Sequence, residues 1–477
     1  MYISNPKGNN ILSTRIISAE ELEEQKIYAQ KVRSATHIFD KAPLAYVHSY
    51  GCQQNVTDGE KIKGMLEEMG YGFTDDTANA DFILFNTCAV RENAVERVFG
   101  NVGALKHLKK KNPKLIIAVC GCMVQQPLTA EKLKKSFPFV DIIFGTHVLH
   151  TLPQLLCSCL FEGGRVFEIP DSDGVIAEGL PVKRDSSFKA SVPIMYGCNN
   201  FCTYCVVPYV RGRERSRASQ EVIAEVKGLV DNGYKDILLL GQNVNSYGKG
   251  TDVDFPELLT RLDKLPGEFK IEFMTSHPKD CTKRLIDVIA GSDKISYHLH
   301  LPIQCGSDRI LALMNRHYDV KGYLELVDYA REKIPDLNLT TDIIVGFPGE
   351  MREDFDKTLD LMKRVCFDSA FTFIFSPREG TKAANMEDTI SEEEKGKWFR
   401  ELLQVQTDCG SKSYQKYIGK TLRVLCEGRG RTSQEYFNGK SMQNIIVDFT
   451  GDESDIGKFV DVKITKALGW ALIGEKV

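Results

Sequence analysis

From Leu44 onward, apolar runs of strand length alternate with segments of helical period. Leu44–Val47, Phe82–Phe85, Leu115–Val119 and Val140–Phe144 read as strands. Gly59–Met69, Glu92–Leu108 and the stretch near Val148–Leu156 read as helices; in Glu92–Leu108 the apolar positions are Val95, Val98, Phe99 and Leu105. Strands alternating with helices imply βαβ units on a parallel sheet. An open α/β domain is therefore expected over residues 43–165. An extension over residues 1–42 precedes it, with a short polar helix near Glu20–Gln30 and no chemistry. Residues 166–185, rich in Asp, Gly and Pro, read as a linker.

A second series occupies residues 186–416, with strands expected at Ala190–Met195, Ile237–Leu240, Ile271–Met274, Tyr297–Leu301, Leu337–Val345 and Phe371–Phe375. Six strands with crossovers, and no glycine-rich dinucleotide turn after the first, point to a partial (β/α)6 barrel rather than a nucleotide-binding open sheet. Beyond the charged helix Ser391–Tyr417 the texture changes. Short strands at Leu422–Leu425, Asn444–Val447, Phe459–Ile464 and Ala471–Gly474 predict a small antiparallel β-barrel over residues 417–477. The fold class is α/β with this β-barrel appended.

Composition narrows the function. The 477 residues suit about three domains. At 42% hydrophobic and 26% charged, the chain is neither collagenous, mucin-like nor disordered. No apolar run approaches the ~18 residues of a membrane span, and the polar start MYISNPKGNN lacks the core of a signal peptide. The chain is expected to be cytoplasmic, with no membrane partner. That makes its 14 cysteines conspicuous, because disulfides are rare in a reducing compartment.

Cys198, Cys202 and Cys205 form C-x3-C-x2-C directly after the first barrel strand. Soft, anionic thiolates this close together suit an iron–sulfur cluster. Three protein ligands leave one iron of a 4Fe–4S cluster open to a small molecule, as at an open catalytic metal site. Cys52, Cys88 and Cys122 are far apart in sequence, yet each follows a first-domain strand and stands about one βα unit from the next. Parallel strands deliver their C-terminal ends to one sheet edge, so these loops can meet on one ligand, with helix N-termini aimed at an anion. Cys120 competes with Cys122, but lies upstream in the apolar run and reads as strand packing. Cys157 and Cys159 read as a partly buried helix end. Cys281, Cys366, Cys409 and Cys426 are isolated and read as packing, and Cys305 sits on the barrel's active face.

The C-x3-C-x2-C loop resembles that of radical S-adenosylmethionine enzymes. With "GCQQN", "NTCAVRENA", "CNNFCTYCVVPYVRGRERSR", "GQNVNSYG", "TSHP", "HLPIQCGSDRILALMNRHY", "TDIIVGFPGE" and "FSPREGTKAA", nearly the whole chain from residue 43 resembles the methylthiotransferase family of radical SAM enzymes. The run Cys198–Arg217 is similar to the branch acting on N6-isopentenyladenosine in tRNA. The resemblance implies two [4Fe–4S] clusters, an auxiliary one on Cys52, Cys88 and Cys122 and a radical-generating one on Cys198, Cys202 and Cys205. It implies two S-adenosylmethionine molecules, one a methyl donor and one the source of a 5′-deoxyadenosyl radical. An unactivated aromatic C–H has no acidic proton, so the cofactor must do this chemistry. Cofactor contacts are implied for Tyr204, Arg211, Gln242, Asn243, Gln304 and Arg316.

On the substrate side, the C-terminal barrel resembles the TRAM RNA-binding domain, although its charge is nearly balanced. Arg213, Arg378, Arg429, Arg431 and Lys440 are the candidate RNA contacts, while Arg215 and Arg217 complete an arginine run that also reads as a solvated face. Asp58, Glu272, His277, Asp342 and Glu350 are expected in positioning roles. The implied partners are a tRNA anticodon stem-loop, an electron donor such as flavodoxin or ferredoxin, and iron–sulfur assembly or carrier proteins, with the chain itself a monomer. Three readings stand open here. They are isopentenyladenosine methylthiolation, the same chemistry on threonylcarbamoyladenosine or a ribosomal-protein aspartate, and a non-catalytic RNA-binding iron–sulfur protein.

Overall fold

A computed structural model describes residues 15–36, 41–89, 92–170, 174–430 and 435–477, with the side chains of 92–94 also left aside. Arg431 lies outside the described residues. The chain divides into two compact units. The first holds the segment up to Asp185 with Tyr196–Asn199 and Val206–Arg217, and the second holds Ser186–Met195, Asn200–Cys205 and Ala218–Val477.

The first unit is built on a six-stranded sheet comprising β1 (Leu44–Ser49), β2 (Gly72–Phe73), β3 (Phe82–Thr87), β4 (Ile116–Gly121), β5 (Ile142–Phe144) and β6 (Val166–Glu168). Their order is β2-β1-β3-β4-β5-β6, and every pairing is parallel. β3 and β4 are buried along their whole length, as a parallel sheet covered on both faces requires. Their side chains alternate between two cores. Phe82, Leu84, Ile116, Ala118 and Cys120 enter one, and Ile83, Phe85, Ile117 and Val119 the other. Cys120 therefore packs into the sheet, as its position in the run suggests.

Three sequence expectations for this unit change. The extension is not peripheral, because helix Ala19–Thr36 contributes Ala29 and Val32 to the core that also holds Leu152, Leu155 and Leu156. The Glu92–Leu108 helix breaks at Leu105 into Glu92–Ala104 and Lys106–Lys111. The expected linker is also held. Val175–Ile176 pairs in parallel with Arg15–Ile16, and Lys183 N donates to Glu60 O at 3.0 Å.

The second unit contains the six expected barrel strands, β7 (Lys189–Pro193), β8 (Asp236–Leu240), β9 (Lys270–Phe273), β10 (His298–His300), β11 (Asn338–Val345) and β12 (Ser369–Ile374). They form parallel triplets β9-β8-β7 and β10-β11-β12, joined through the isolated bridge Ile271↔Ile295. Ile237, Leu239, Ile271, Leu299, Leu339 and Ile343 face the surrounding helices in one large core. At the N-terminal ends of β8 and β9, Lys270 is wholly buried beside Asp236 and Glu272. Burial raises the Glu272 carboxyl, but Lys270 and Lys440 outweigh it and bring it down to about 2.

The C-terminal strands β13 (Thr421–Arg429), β14 (Phe437–Ser441), β15 (Ile446–Thr450), β16 (Phe459–Ala467) and β17 (Leu472–Lys476) close into a barrel of order β13-β14-β15-β17-β16. It is not wholly antiparallel, since β15 and β17 close it in parallel. The sequence reading lacked β14 because its Asn438-Gly439 pair signals a turn. Gly439 is instead a strand glycine, where an added Cβ would stand 2.7 Å from Val424 Cγ1 and closer still to Leu425 O. The turn after β14 docks on the larger barrel. Met442 O accepts from Tyr297 N and Ser296 Oγ at 2.8 Å each, and Gln443 O accepts from Asn338 Nδ2 at 2.8 Å. No helix among the described residues is long and apolar enough to cross a membrane.

Candidate active site

In the first unit, β1, β3 and β4 end at one sheet edge, and Cys52, Cys88 and Cys122 follow them directly. Cys52 is the exposed N-cap of helix Gln53–Glu68, and its thiol makes no cap hydrogen bond. Cys88 and Cys122 are buried. Two glycines let the loops close. Gly51 (φ +102°) and Gly121 (φ +99°) occupy conformations that L-residues avoid. A Cβ on Gly51 would lie 2.6 Å from Cys88 Sγ, and one on Gly121 would lie 2.5 Å from Thr87 N. The cradle around Cys88 thus exists only because neither neighbour carries a side chain.

Arg211 enters this edge, buried, and donates from each of its three guanidinium nitrogens. Nε donates to Cys122 Sγ at 3.0 Å, Nη1 to Asp58 Oδ2 at 2.7 Å and Nη2 to Asn55 Oδ1 at 2.5 Å. Burial pushes the Cys122 thiol up to about 12, with Cys52 and Cys88 adding to the rise and Arg211 opposing it. Cys52 and Cys88 are thus both within electrostatic reach of Cys122. Among the described residues no three His, Cys, Asp or Glu side chains enclose a single metal ion. A four-iron cluster is broader than one ion, and its cysteines stand farther apart. Soft thiols with a cationic N–H donor on sulfur fit such a cluster. Arg211 and Asp58 also line, with Lys61, His147, Tyr196 and Arg215, a small cationic cavity of about 50 Å³.

The C-x3-C-x2-C loop follows β7. Cys198 N donates to Gly212 O at 3.2 Å in the first unit, and Gly197 (φ +74°) would bring a Cβ within 2.5 Å of that same oxygen. In the second unit, Cys205 N donates to Cys202 O at 2.9 Å and Thr203 N to Met314 O at 3.1 Å. Tyr204 packs against the barrel core. Arg316 is buried and donates from Nη1 to Cys202 Sγ at 3.3 Å, from Nη2 to Pro302 O at 2.9 Å and from Nε to Tyr318 Oη at 2.8 Å. Each cysteine set therefore has a buried arginine hydrogen-bonded to one of its sulfurs.

Loops at the C-terminal ends of the barrel strands carry the other expected cofactor contacts. Gln242 is half-buried after β8, and Asn243 beside it donates from Nδ2 to Asp280 at 2.8 Å. Asn243 Oδ1, Ser276 Oγ and His277 Nε2 are buried with no hydrogen-bond partner among the described residues. Orphaned polar atoms on a barrel mouth fit a polar small molecule. Backbone strain gathers in the same loops, with positive φ at Phe201, Thr275, Gln304 and Asn315. Burial lowers His277 to about 2, which leaves it neutral.

The remaining candidates separate. Asp342 is half-buried on β11, with His300 Nε2 3.6 Å from its Oδ1. Burial pushes the Cys305 thiol up to about 12, beside Thr358 Oγ1 at 3.4 Å, so it packs rather than reacts. Cys366 lies near Cys409, whose thiol is pushed up to about 12 by burial and by Cys366 itself and donates to Met362 O at 3.8 Å. Arg213 is exposed, Arg378 half-buried, and Arg429 exposed in an ion pair with Glu453 at 2.6 Å. Lys440 bears electrostatically on Asp236, Glu272 and His298 of the larger barrel. The arginine run is not one solvated face, because Arg215 and Arg217 are buried and Arg217 grips Glu178 at 2.6 and 2.7 Å.

The chain matches the family described as uncharacterized protein family UPF0004 over residues 44–145, the radical SAM superfamily over 192–362 and the TRAM domain over 415–477. Among curated proteins it is similar to the tRNA-2-methylthio-N(6)-dimethylallyladenosine synthase of Clostridium tetani, with 51% identity over 91% of this chain and 96% of that one. The protein of the same name from Acetivibrio thermocellus is 46% identical over 99% of both chains. The fold is shared with a radical S-adenosylmethionine methyltransferase from Kitasatospora setae, at a TM-score of 0.53 and 14% identity over 72% of this chain and 77% of that one. With 46–51% identity sustained over nearly the full length of such relatives, the chain belongs to the radical SAM methylthiotransferase family.

Proposed function

We propose that this chain places a methylthio group on carbon 2 of N6-isopentenyladenosine next to the tRNA anticodon. The observation that carries the reading is the pair of cysteine sets, each at the C-terminal ends of parallel strands and each with a buried arginine on one sulfur. Cys52, Cys88 and Cys122 would hold the auxiliary [4Fe–4S] cluster, and Cys198, Cys202 and Cys205 the one that binds S-adenosylmethionine. When bound, these groups supply the electron, the radical and the methylthio sulfur that an unactivated aromatic C–H demands. The chain's own residues hold and shield them. Asn243, Ser276 and His277 present the unpartnered polar atoms to the cofactor, and His277, kept neutral by burial and accepting Lys279 N on Nδ1 at 3.2 Å, offers its Nε2–H as a donor.

The relatives' shared name and the C-terminal RNA-binding fold support tRNA as the macromolecular substrate. An adenine in an anticodon loop is already free to unstack toward a barrel mouth. The same reading assigns a flavodoxin- or ferredoxin-type electron donor, iron–sulfur carrier proteins and a monomeric chain. The test is a nucleoside digest of tRNA from a strain lacking the gene. Loss of the methylthio-isopentenyl nucleoside, with the isopentenyl nucleoside retained, is expected. Its persistence refutes the substrate, and loss of a threonylcarbamoyl derivative instead would reassign it. Anaerobic reconstitution is expected to give about eight irons per chain, and about four when Cys52, Cys88 and Cys122 become alanine.

A further inference from the structure

Arg211 is held by Asn55, Asp58 and Cys122, and through Asn55 it is tied to the loop of Cys88. Asn55, which accepts its Nη2, donates from Nδ2 to Tyr50 O at 2.7 Å and to Thr87 O at 2.9 Å. Those two carbonyls precede the Gly51–Cys52 turn and Cys88. Asn86 Nδ2 in turn holds Asn55 O at 2.7 Å. Asp58, the counter-charge, accepts Nη1 at 2.7 Å and a second bond from Gln54 at 3.2 Å. Arg211, Asp58 and Asn55 are all more than nine-tenths buried. A guanidinium fixed this way through Nη1 and Nη2 has its Nε aimed at Cys122 Sγ.

We propose that Arg211 is a positioning residue for the auxiliary cysteine set, orienting Cys122 and setting, together with Asp58, how readily the cluster held there accepts an electron. The inference rests on the reading that Cys52, Cys88 and Cys122 hold an iron–sulfur cluster. A buried N–H donor and positive charge on a ligand sulfur favour the more reduced, more negative state, and a buried carboxylate beside them opposes it. The two residues therefore act with opposite sign. A role confined to folding has no reason to give that pattern.

The test is an EPR-monitored redox titration of anaerobically reconstituted full-length chain, with Cys198, Cys202 and Cys205 replaced by alanine so that only the auxiliary cluster remains. At a fixed poise, Arg211→Gln is expected to lower the reduced-to-oxidised ratio roughly tenfold, about 59 mV for a one-electron couple. Asp58→Asn is expected to raise the ratio, and Arg211→Lys to fall between wild type and Arg211→Gln. Shifts of the same sign in Arg211→Gln and Asp58→Asn, or no shift in either with about four irons retained, overturn the inference while leaving the triad intact. A background chain that binds no iron overturns the triad reading and this inference with it.

Discussion

Gly121 ends β4, directly before Cys122, and its replacement by alanine puts a methyl group where the sheet has no room. At φ +99° and ψ −166° the residue already occupies a region essentially reserved to glycine, a cost of about 1–3 kcal/mol for alanine. The new Cβ would stand 2.5 Å from both Asn86 Oδ1 and Thr87 N, and closer to Thr87 O. Neither neighbour yields, because Thr87 is the direct sheet partner of Gly121 and Asn86 is tied to Asn55 O. Overpacking at such a site costs about 1–3 kcal/mol more, so Gly121→Ala should lose about 2–6 kcal/mol in total. Gly163 is the control. Its φ is +74° and an added Cβ there would meet no atom within 4 Å, so Gly163→Ala carries only the backbone cost. Urea unfolding of the cluster-free chain, followed by circular dichroism and read as a midpoint at constant m, gives the difference. Iron analysis after reconstitution should show Gly121→Ala near four irons where Gly163→Ala keeps about eight. Equal midpoints for the two variants, or full iron in Gly121→Ala, would refute the steric reasoning.

Two further outcomes follow from buried charge. Lys270→Met leaves Asp236 and Glu272 without their cation inside the barrel and should cost about 3–5 kcal/mol in the same urea assay. Adding Glu272→Gln should recover part of that loss, and no recovery would mean the lysine acts through packing. Burial pushes Glu350 from 4.5 up to about 7, although its Oε2 accepts Gly346 N at 2.6 Å and Phe347 N at 3.1 Å. Ionising it costs more in the folded chain than in the unfolded one. Wild-type stability should therefore fall as pH rises from 4.5 through 7, by up to about 3 kcal/mol. Glu350→Gln keeps the acceptor without the charge, so its midpoint should gain on wild type between pH 5 and pH 8; a constant difference contradicts this.

The cysteine sets were legible because their logic is periodic. A run such as FILFNT can only be a strand buried on both faces, and the residue after it lies at the sheet edge. Edge strands of two or three residues, Gly72–Phe73 and Val166–Glu168, leave no such period. Gly439 misled because a glycine in a turn and a glycine under a neighbouring carbonyl are spelled alike. The destination of Arg211 was out of reach for a different reason. Its alternation with Arg213, Arg215 and Arg217 suggests one face, yet a long side chain goes where its partners lie, and Asp58 and Cys122 are remote in sequence. The "GC" repeat before Cys52 and Cys122 was the available signal, and Gly197–Cys198 makes a third.

The turn Met442–Asn444 carries a consequence for how RNA is read. It caps backbone and side-chain donors at the N-terminal ends of β10 and β11, and Asn444 Nδ2 meets His298 Nδ1 at 3.2 Å. The C-terminal barrel is thus a stopper in the base of the larger one, not a tethered hand. RNA held on that barrel would meet the larger one at a fixed reach. A chain ending at Tyr417 would lose that fixed reach and uncover the buried, charged floor around Lys270 at the same stroke.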